Sequence, residues 1–184
     1  MPTLKWPRSI REPFSNPHVK HPSTSGQGRG TEEMKTNEVT GRYPVGIAGI
    51  AIETGRPGIG AWFTDIQTIS MALAKLGVEF EPKNPLTALM IDKKAGTINP
   101  EVLNEKVLSA ILEFKIESAR LKEMLEAIRV VSAQIDTVFS LDLISRVHPD
   151  GSIPVLSIAA EAGFPSRPNT KTNVGLGRPL FEEA

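Results

Sequence analysis

With 184 residues the chain is long enough for one ordinary domain, yet Gly and Pro supply 15 positions each and aromatics only 5%, so a modest core is expected. Lys plus Arg and Asp plus Glu both number 21, which excludes a global charge excess as a pointer to nucleic acid, an anionic membrane or a basic partner. The absence of Cys excludes disulfides, thiolate metal sites and cysteine nucleophiles together.

Residues 1–44 read as a flexible basic arm rich in Pro, Ser and Gly, with too few clustered apolar groups to offset the entropy of ordering. Pro2, Pro7 and several charges stand where a signal peptide needs an unbroken apolar stretch. Within its first thirty residues Lys5, Arg8, Arg11, Lys20 and Arg29 face Glu12 alone, and Trp6 and Phe14 are spaced among them, whereas the next fifteen residues are nearly balanced. Lys5, Trp6, Arg8, Arg11, Phe14 and Lys20 are therefore candidate contacts to phosphates and bases, against the competing reading of a solvated linker. His18 and His21, three apart with no nearby carboxylate, make a poor metal site.

Residues 45–98 form a small mixed segment. Val45 to Gly60 alternates small and β-branched apolar residues before a Gly-rich turn, as a short strand and loop do. Its longest apolar run, Val45 to Ile52, falls far short of the roughly 20 residues that cross a bilayer. Gly55-Arg56-Pro57-Gly58-Ile59-Gly60 fits neither a P-loop nor a dinucleotide fingerprint. Thr64 to Gln67 matches a capping box, and Trp62, Ile66, Ile69, Leu73 and Leu76 line one face, so a helix is predicted over 65–76 with Gly77 as its left-handed end. Val78 to Glu81 reads as a brief extended piece. Asn84-Pro85 then offers a start for a second short helix over 86–94.

Asn99-Pro100-Glu101 is the strongest helix start in the chain, and no Pro or Gly follows until Pro149. Residues 99–147 are therefore predicted to be one long oligomerising helix; its 47 or so unbroken residues would span about 70 Å. With Ile111 at heptad position a, Leu125 and Phe139 also fall at a, and Val107, Phe114, Leu121, Ile128 and Ile135 fall at d. These eight residues are the predicted self-association seam, interrupted by Asn104, Ser118 and Ser132. Leu112 falls at an outward b position. Packing of the same stripe inside its own chain is the competing reading.

Residues 148–164 read as a turn and a short helix over 155–162, and residues 165–184 as a flexible tail. His148, Asp150 and Ser152 form a superficial trio, but residues so close in sequence rarely hold the geometry of a hydrolytic triad. Glu123 and Glu126 read as an exposed helical face. Lys35-Thr36-Asn37 and Lys171-Thr172-Asn173 look alike, a coincidence common in such compositions.

The expected fold is mainly α, with one coiled-coil-like helix, short helices, at most a minor β element, a disordered N-terminal arm and a C-terminal tail. The layout resembles that of oligomeric phosphoproteins of negative-strand RNA viruses and some virion structural proteins. The expected function is accordingly a non-enzymatic homo-oligomeric structural or adaptor protein whose arms bind other proteins, with no cofactor and no metal, in the cytoplasm or a virion. The alternative is a nucleic-acid-packaging protein that uses its basic arm, and an enzyme stands third.

Overall fold

The computed structural model describes residues 3–16, 18–19, 42–56 and 58–168. Its centre is a four-stranded antiparallel sheet built from β1 (Ile47–Thr54), β3 (Glu79–Phe80), β7 (Ala110–Glu117) and β8 (Phe139–Ile144), in the order β3-β7-β1-β8. Helix α2 (Phe63–Ala74) joins β1 to β3, and α3 (Leu121–Ser132) joins β7 to β8. Since β1 and β3 both run antiparallel to β7, they are parallel to each other with β7 inserted between them. This is the β-α-β-β-α-β connectivity of the split βαβ, or ferredoxin-like, arrangement.

Four small additions among the described residues decorate this plan. A two-stranded pair of β2 (Ala61–Trp62) and β6 (Lys106–Val107) stands beside the start of α2, and β4 (Met90–Asp92) with β5 (Thr97–Ile98) forms a separate hairpin. Helix α4 (Pro154–Glu161) packs on α3, and α1 (Arg11–Ser15) packs on β6. No described helix is long and apolar enough to cross a membrane.

The period of the sequence explains why residues 110–117 extend. Ala110, Leu112, Phe114 and Ile116 alternate with Ile111, Glu113, Lys115 and Glu117, so an extended backbone sends all four apolar residues to one face. That face joins Ala48, Ile50 and Ile52 of β1 in the main core, under Ile66, Ile69 and Leu73 of α2 and Leu121, Leu125 and Ile128 of α3. Residues 121–132 do repeat at helical spacing, and Leu121, Met124, Leu125, Ile128 and Val131 form their buried stripe.

The mainly α fold with at most a minor β element is thus overturned, and the long helix and the coiled coil with it. Residues 99–147 hold a 3-10 turn at Pro100–Val102, β6, β7, a second 3-10 turn at Ser118–Arg120, α3 and β8. Asn99 caps as expected, its side chain accepting from the Glu101 amide, but what it opens is the first 3-10 turn. A run without Pro or Gly permits a helix but does not compel one. The β-branched and aromatic residues at 110–116 and 139–144 gain more by pairing with β1 than by continuing a helix. The heptad spacing was met by accident: Ile111 and Phe114, at neighbouring seam positions, lie on opposite faces of one strand, and outward-predicted Leu112 is only 1% exposed.

Smaller differences have local causes. The predicted helix over 65–76 starts two residues earlier without a capping box, because Gln67 turns its side-chain oxygen to the Ile98 amide, 2.9 Å away. Gly77 does end this helix region with φ of 68°. The segment 86–94 is a 3-10 turn at Thr87–Leu89 followed by β4 and a turn, not a helix. The predicted helix over 155–162 is α4.

The described part of the N-terminal arm is docked. Trp6 donates from Nε1 to Glu101 at 2.7 Å, Arg11 pairs with Glu105, and the Leu108 amide donates to the Ser15 hydroxyl at 3.1 Å. Buried Phe14 meets Phe63 edge to face, with centroids 5.4 Å apart. Residues 5–15 therefore run alongside 101–108 as a strap. The expected freedom of 20–41, the two similar Lys-Thr-Asn segments and the tail beyond Pro168 lie outside the described residues.

The split βαβ core and a coiled coil make opposite predictions for substitutions. A carboxylate replacing Leu121 and Ile128 removes two core side chains, at about 2–5 kcal/mol each even for Ala, which approaches a domain's whole stability of about 5–15 kcal/mol. Leu121→Asp with Ile128→Asp is expected to abolish cooperative thermal unfolding, followed by circular dichroism, rather than release folded monomers. Leu112→Asp should do likewise. A folded Leu112→Asp protein would contradict the sheet.

Candidate functional site

The two edges of the sheet differ, and the hydrogen-bond phase says how. The Gly55 amide bonds the Val138 carbonyl at 2.8 Å, which makes Gly55 and Val138 a hydrogen-bonded pair just beyond the end of the ladder. Pairs alternate in an antiparallel ladder, so Ser140, Asp142 and Ile144 bond to Glu53, Ala51 and Gly49. The backbone groups of Phe139, Leu141 and Leu143 therefore point away from β1, and no described strand takes them. Their side chains reach the main core and are only half buried there. At the other edge β3 is two residues long and is followed by Pro82, which has no N–H, and Lys83. Short length, Pro and Lys are the devices that discourage further pairing, and β8 has none of them.

The face of the sheet away from α2 and α3 carries a second small core in which Tyr43 packs with Ala51 and Ile111, flanked by Ile47 and Ile144. Gly49 makes room for it, since a Cβ there would lie 2.4 Å from the Tyr43 ring. The guanidinium of Arg42 stands 5.5 Å from the ring centroid, and Arg146 donates from Nε to the Tyr43 carbonyl at 3.2 Å. Beyond this patch the face turns polar. Ala51 is paired with Glu113 on one side and Asp142 on the other, and Glu53 lies one step along β1. Glu113 has no exposed surface and Glu53 only 8%.

Asn84 is the neutral partner of this acidic group. Its Oδ1 accepts from the Leu86 amide at 2.8 Å, which fixes the side chain so that Nδ2 donates to Glu113. Around it, Arg56 stands 3.6 Å from Glu53, Arg42 pairs with Glu81 at 2.5 Å, and Lys115 lies 3.2 Å from Glu79. A cavity of about 190 Å³ opens between Arg42, Tyr43, Glu79, Glu81 and Lys115. A second, of about 20 Å³, lies between Phe14, Arg56, Asn84 and Ser109. Both are below the range of about 300–1,000 Å³ usual for small-molecule sites. Among the described residues no group of three or more His, Asp or Glu side chains is placed to hold a metal.

The residues predicted as an oligomerisation seam are dispersed through one chain. Val107 is buried on β6 and Phe114 on the side of β7 that faces α2 and α3, while Ile111 lies on the opposite side. Leu121, Leu125 and Ile128 share the inner face of α3, half-buried Ile135 follows that helix, and half-buried Phe139 opens β8. Of the predicted nucleic-acid contacts, Phe14 is buried and Arg11 is ion-paired, whereas Lys5, Trp6 and Arg8 are exposed. Lys20 lies outside the described residues. His148, Asp150 and Ser152 make a turn, in which the Ser152 amide bonds Asp150 at 2.8 Å; its hydrogen bonds hold the Asp150 carboxyl below its ordinary pKa. Glu123 and Glu126 are exposed on α3, as expected.

Sequence reasoning missed the β8 edge, Tyr43 over Gly49, and the buried Glu53, Glu113 and Asn84. The alternation of Phe139-Ser140-Leu141-Asp142-Leu143 was a visible strand signal for the first. The others depend on pairing between distant segments. No protein-family model, curated protein or solved structure matches the chain.

Removing one partner of a buried hydrogen bond costs about 1–3 kcal/mol, so Asn84→Ala is expected to lower stability to urea by that amount. Asn84→Asp keeps the acceptor for Leu86 but sets a second carboxylate against Glu113, and should cost more. An Asn84→Asp protein as stable as the parent would rule out this role for Asn84.

Proposed function

We propose that the chain is a homo-oligomeric structural or adaptor protein that assembles by strand addition at the β8 edge. The observation that carries this reading is the contrast between a blunted β3 edge and a six-residue β8 edge whose outward backbone groups have no described strand partner. An exposed, regular edge invites pairing with another strand, and main-chain hydrogen bonds then supply affinity. The modest cavities and the ion pairing of the charges around them favour a binding role over catalysis. In this reading the segments outside the sheet, including residues beyond 168, carry contacts to other proteins.

A nucleic-acid-packaging role is the second reading, and one observation favours it. Trp6 keeps 47% of its surface exposed beside exposed Lys5 and Arg8, which suits stacking and phosphate contact. Docking of Phe14 and Arg11 removes two of the groups that role would use.

Light scattering of the intact protein should give a mass above the 20.0 kDa of one chain. Leu141→Pro is the selective test, because the N–H it removes points outward and Pro is tolerated at such edge positions. The variant should keep its circular dichroism spectrum and fall to the monomer mass. A parent at 20.0 kDa would end the assembly reading.

A further inference from the structure

We infer that the strand added at β8 is β8 of a second copy of this chain, antiparallel, about a two-fold axis through Leu141. The inference rests on the assembly reading above and adds the partner and the register.

Three constraints lead to it. The first is hydrogen-bond phase. Only outward-facing residues can bond a new strand, and these are Phe139, Leu141 and Leu143. An axis through Leu141 maps this set onto itself: Leu141 pairs with its symmetry mate, and Phe139 pairs with Leu143 of the second copy. An axis through Ser140 would leave Leu143 opposite Thr137, and one through Asp142 would leave Phe139 opposite Ser145, both outside the strand.

The second constraint is apolar continuity. Phe139, Leu141 and Leu143 all face the helix layer and are half buried, whereas the helix-side residues of β1 are fully buried. A two-fold perpendicular to the sheet keeps the helices of both copies on one side. The exposed flanks of these three side chains then meet their counterparts, with an aromatic opposite an aliphatic, a favourable cross-strand pair.

Charge is the third constraint. On the side away from α2 and α3 the same axis sets Asp142 opposite Ser140 of the second copy, where a hydroxyl can donate to the carboxylate. The axis through Asp142 would oppose two carboxylates, which is unfavourable. Phase, burial and charge therefore select one register, and the product is an eight-stranded sheet whose protected β3 edges lie at its two ends.

The chain has no Cys, so single introduced cysteines report on contacts cleanly. In this register residues 140 and 142 of different copies form a non-hydrogen-bonded pair, about 4.5 Å apart at Cα, within disulfide range. Two copies of residue 140, or of residue 142, are about 8 Å apart, which is beyond that range. Full-length Ser140→Cys and Asp142→Cys proteins, mixed and oxidised, should give a disulfide-linked dimer that neither forms alone. Ser140→Asp introduces two like-charge pairs between the copies of a dimer, besides one against Glu53 within each chain that monomer and dimer share, and should weaken self-association about 2- to 30-fold by analytical ultracentrifugation. A parent oligomer whose mixed variants do not cross-link, or whose single variants cross-link equally, would overturn the register while leaving assembly intact. So would a dissociation constant unmoved by Ser140→Asp. A monomeric parent would overturn both.

Discussion

The pairing of β1 with β7 is the constraint on which the rest of the molecule depends. Eight consecutive residue pairs, from Ile47 opposite Glu117 to Thr54 opposite Ala110, form its longest ladder. Both strands are covered on two faces, so each must serve a side packed against α2 and α3 and a side turned away from them at once. On the first side this requires an unbroken apolar set. On the second it buries Glu53 and Glu113 close to Asp142, and buried charge persists only with partners and hydrogen bonds. The strap of residues 5–15, the Asn84 turn and Tyr43 over Gly49 all address what that ladder creates at its margins.

The parts of the fold legible in the sequence are those whose signals are local. Residues 63–74 and 154–161 announce themselves by helical spacing between breakers, and β1 by small and β-branched residues before a Gly-rich turn. Residues 110–144 were misread because two periods coexist there. Leu121, Leu125 and Ile128 belong to a true helical stripe, and extending that stripe backward catches Phe114 and Ile111 by chance and forward catches Ile135 and Phe139. The decisive information was the alternation in Ile111 to Glu117, where the residues between apolar positions are Glu and Lys. Its weight depends on a partner strand more than fifty residues away, which no local window contains.

The candidate site was less legible for the same reason. Nothing in the neighbourhood of Asn84 marks it as the donor to Glu113, because 29 residues separate them. Trp6 and Arg11 looked like the residues of a free arm, yet their acceptors are Glu101, in the 3-10 turn at Pro100–Val102, and Glu105, just before β6. Glu101, read as part of the start of a long helix, instead joins Glu105 in anchoring residues 5–15. Edges are harder still, since an edge is defined by what fails to pair, and that is known only when the whole strand order is known.

The same ladder has a consequence for synthesis. The residues of β1 leave the ribosome 56 to 70 positions before the β7 residues that pair with them. At about 5–20 residues per second, a nascent chain holds Ile47–Thr54 without that partner for roughly 3 to 14 s. During that interval the segment is a bare apolar strand with two open sides, and β8 emerges later still. The Gly residues at 46 and 49 interrupt its apolar surface, and flanking Arg42 and Arg56 place charge at either end. In the finished sheet these groups brace Tyr43 and Glu53; in the unfinished chain they act as gatekeepers against association of one nascent strand with another.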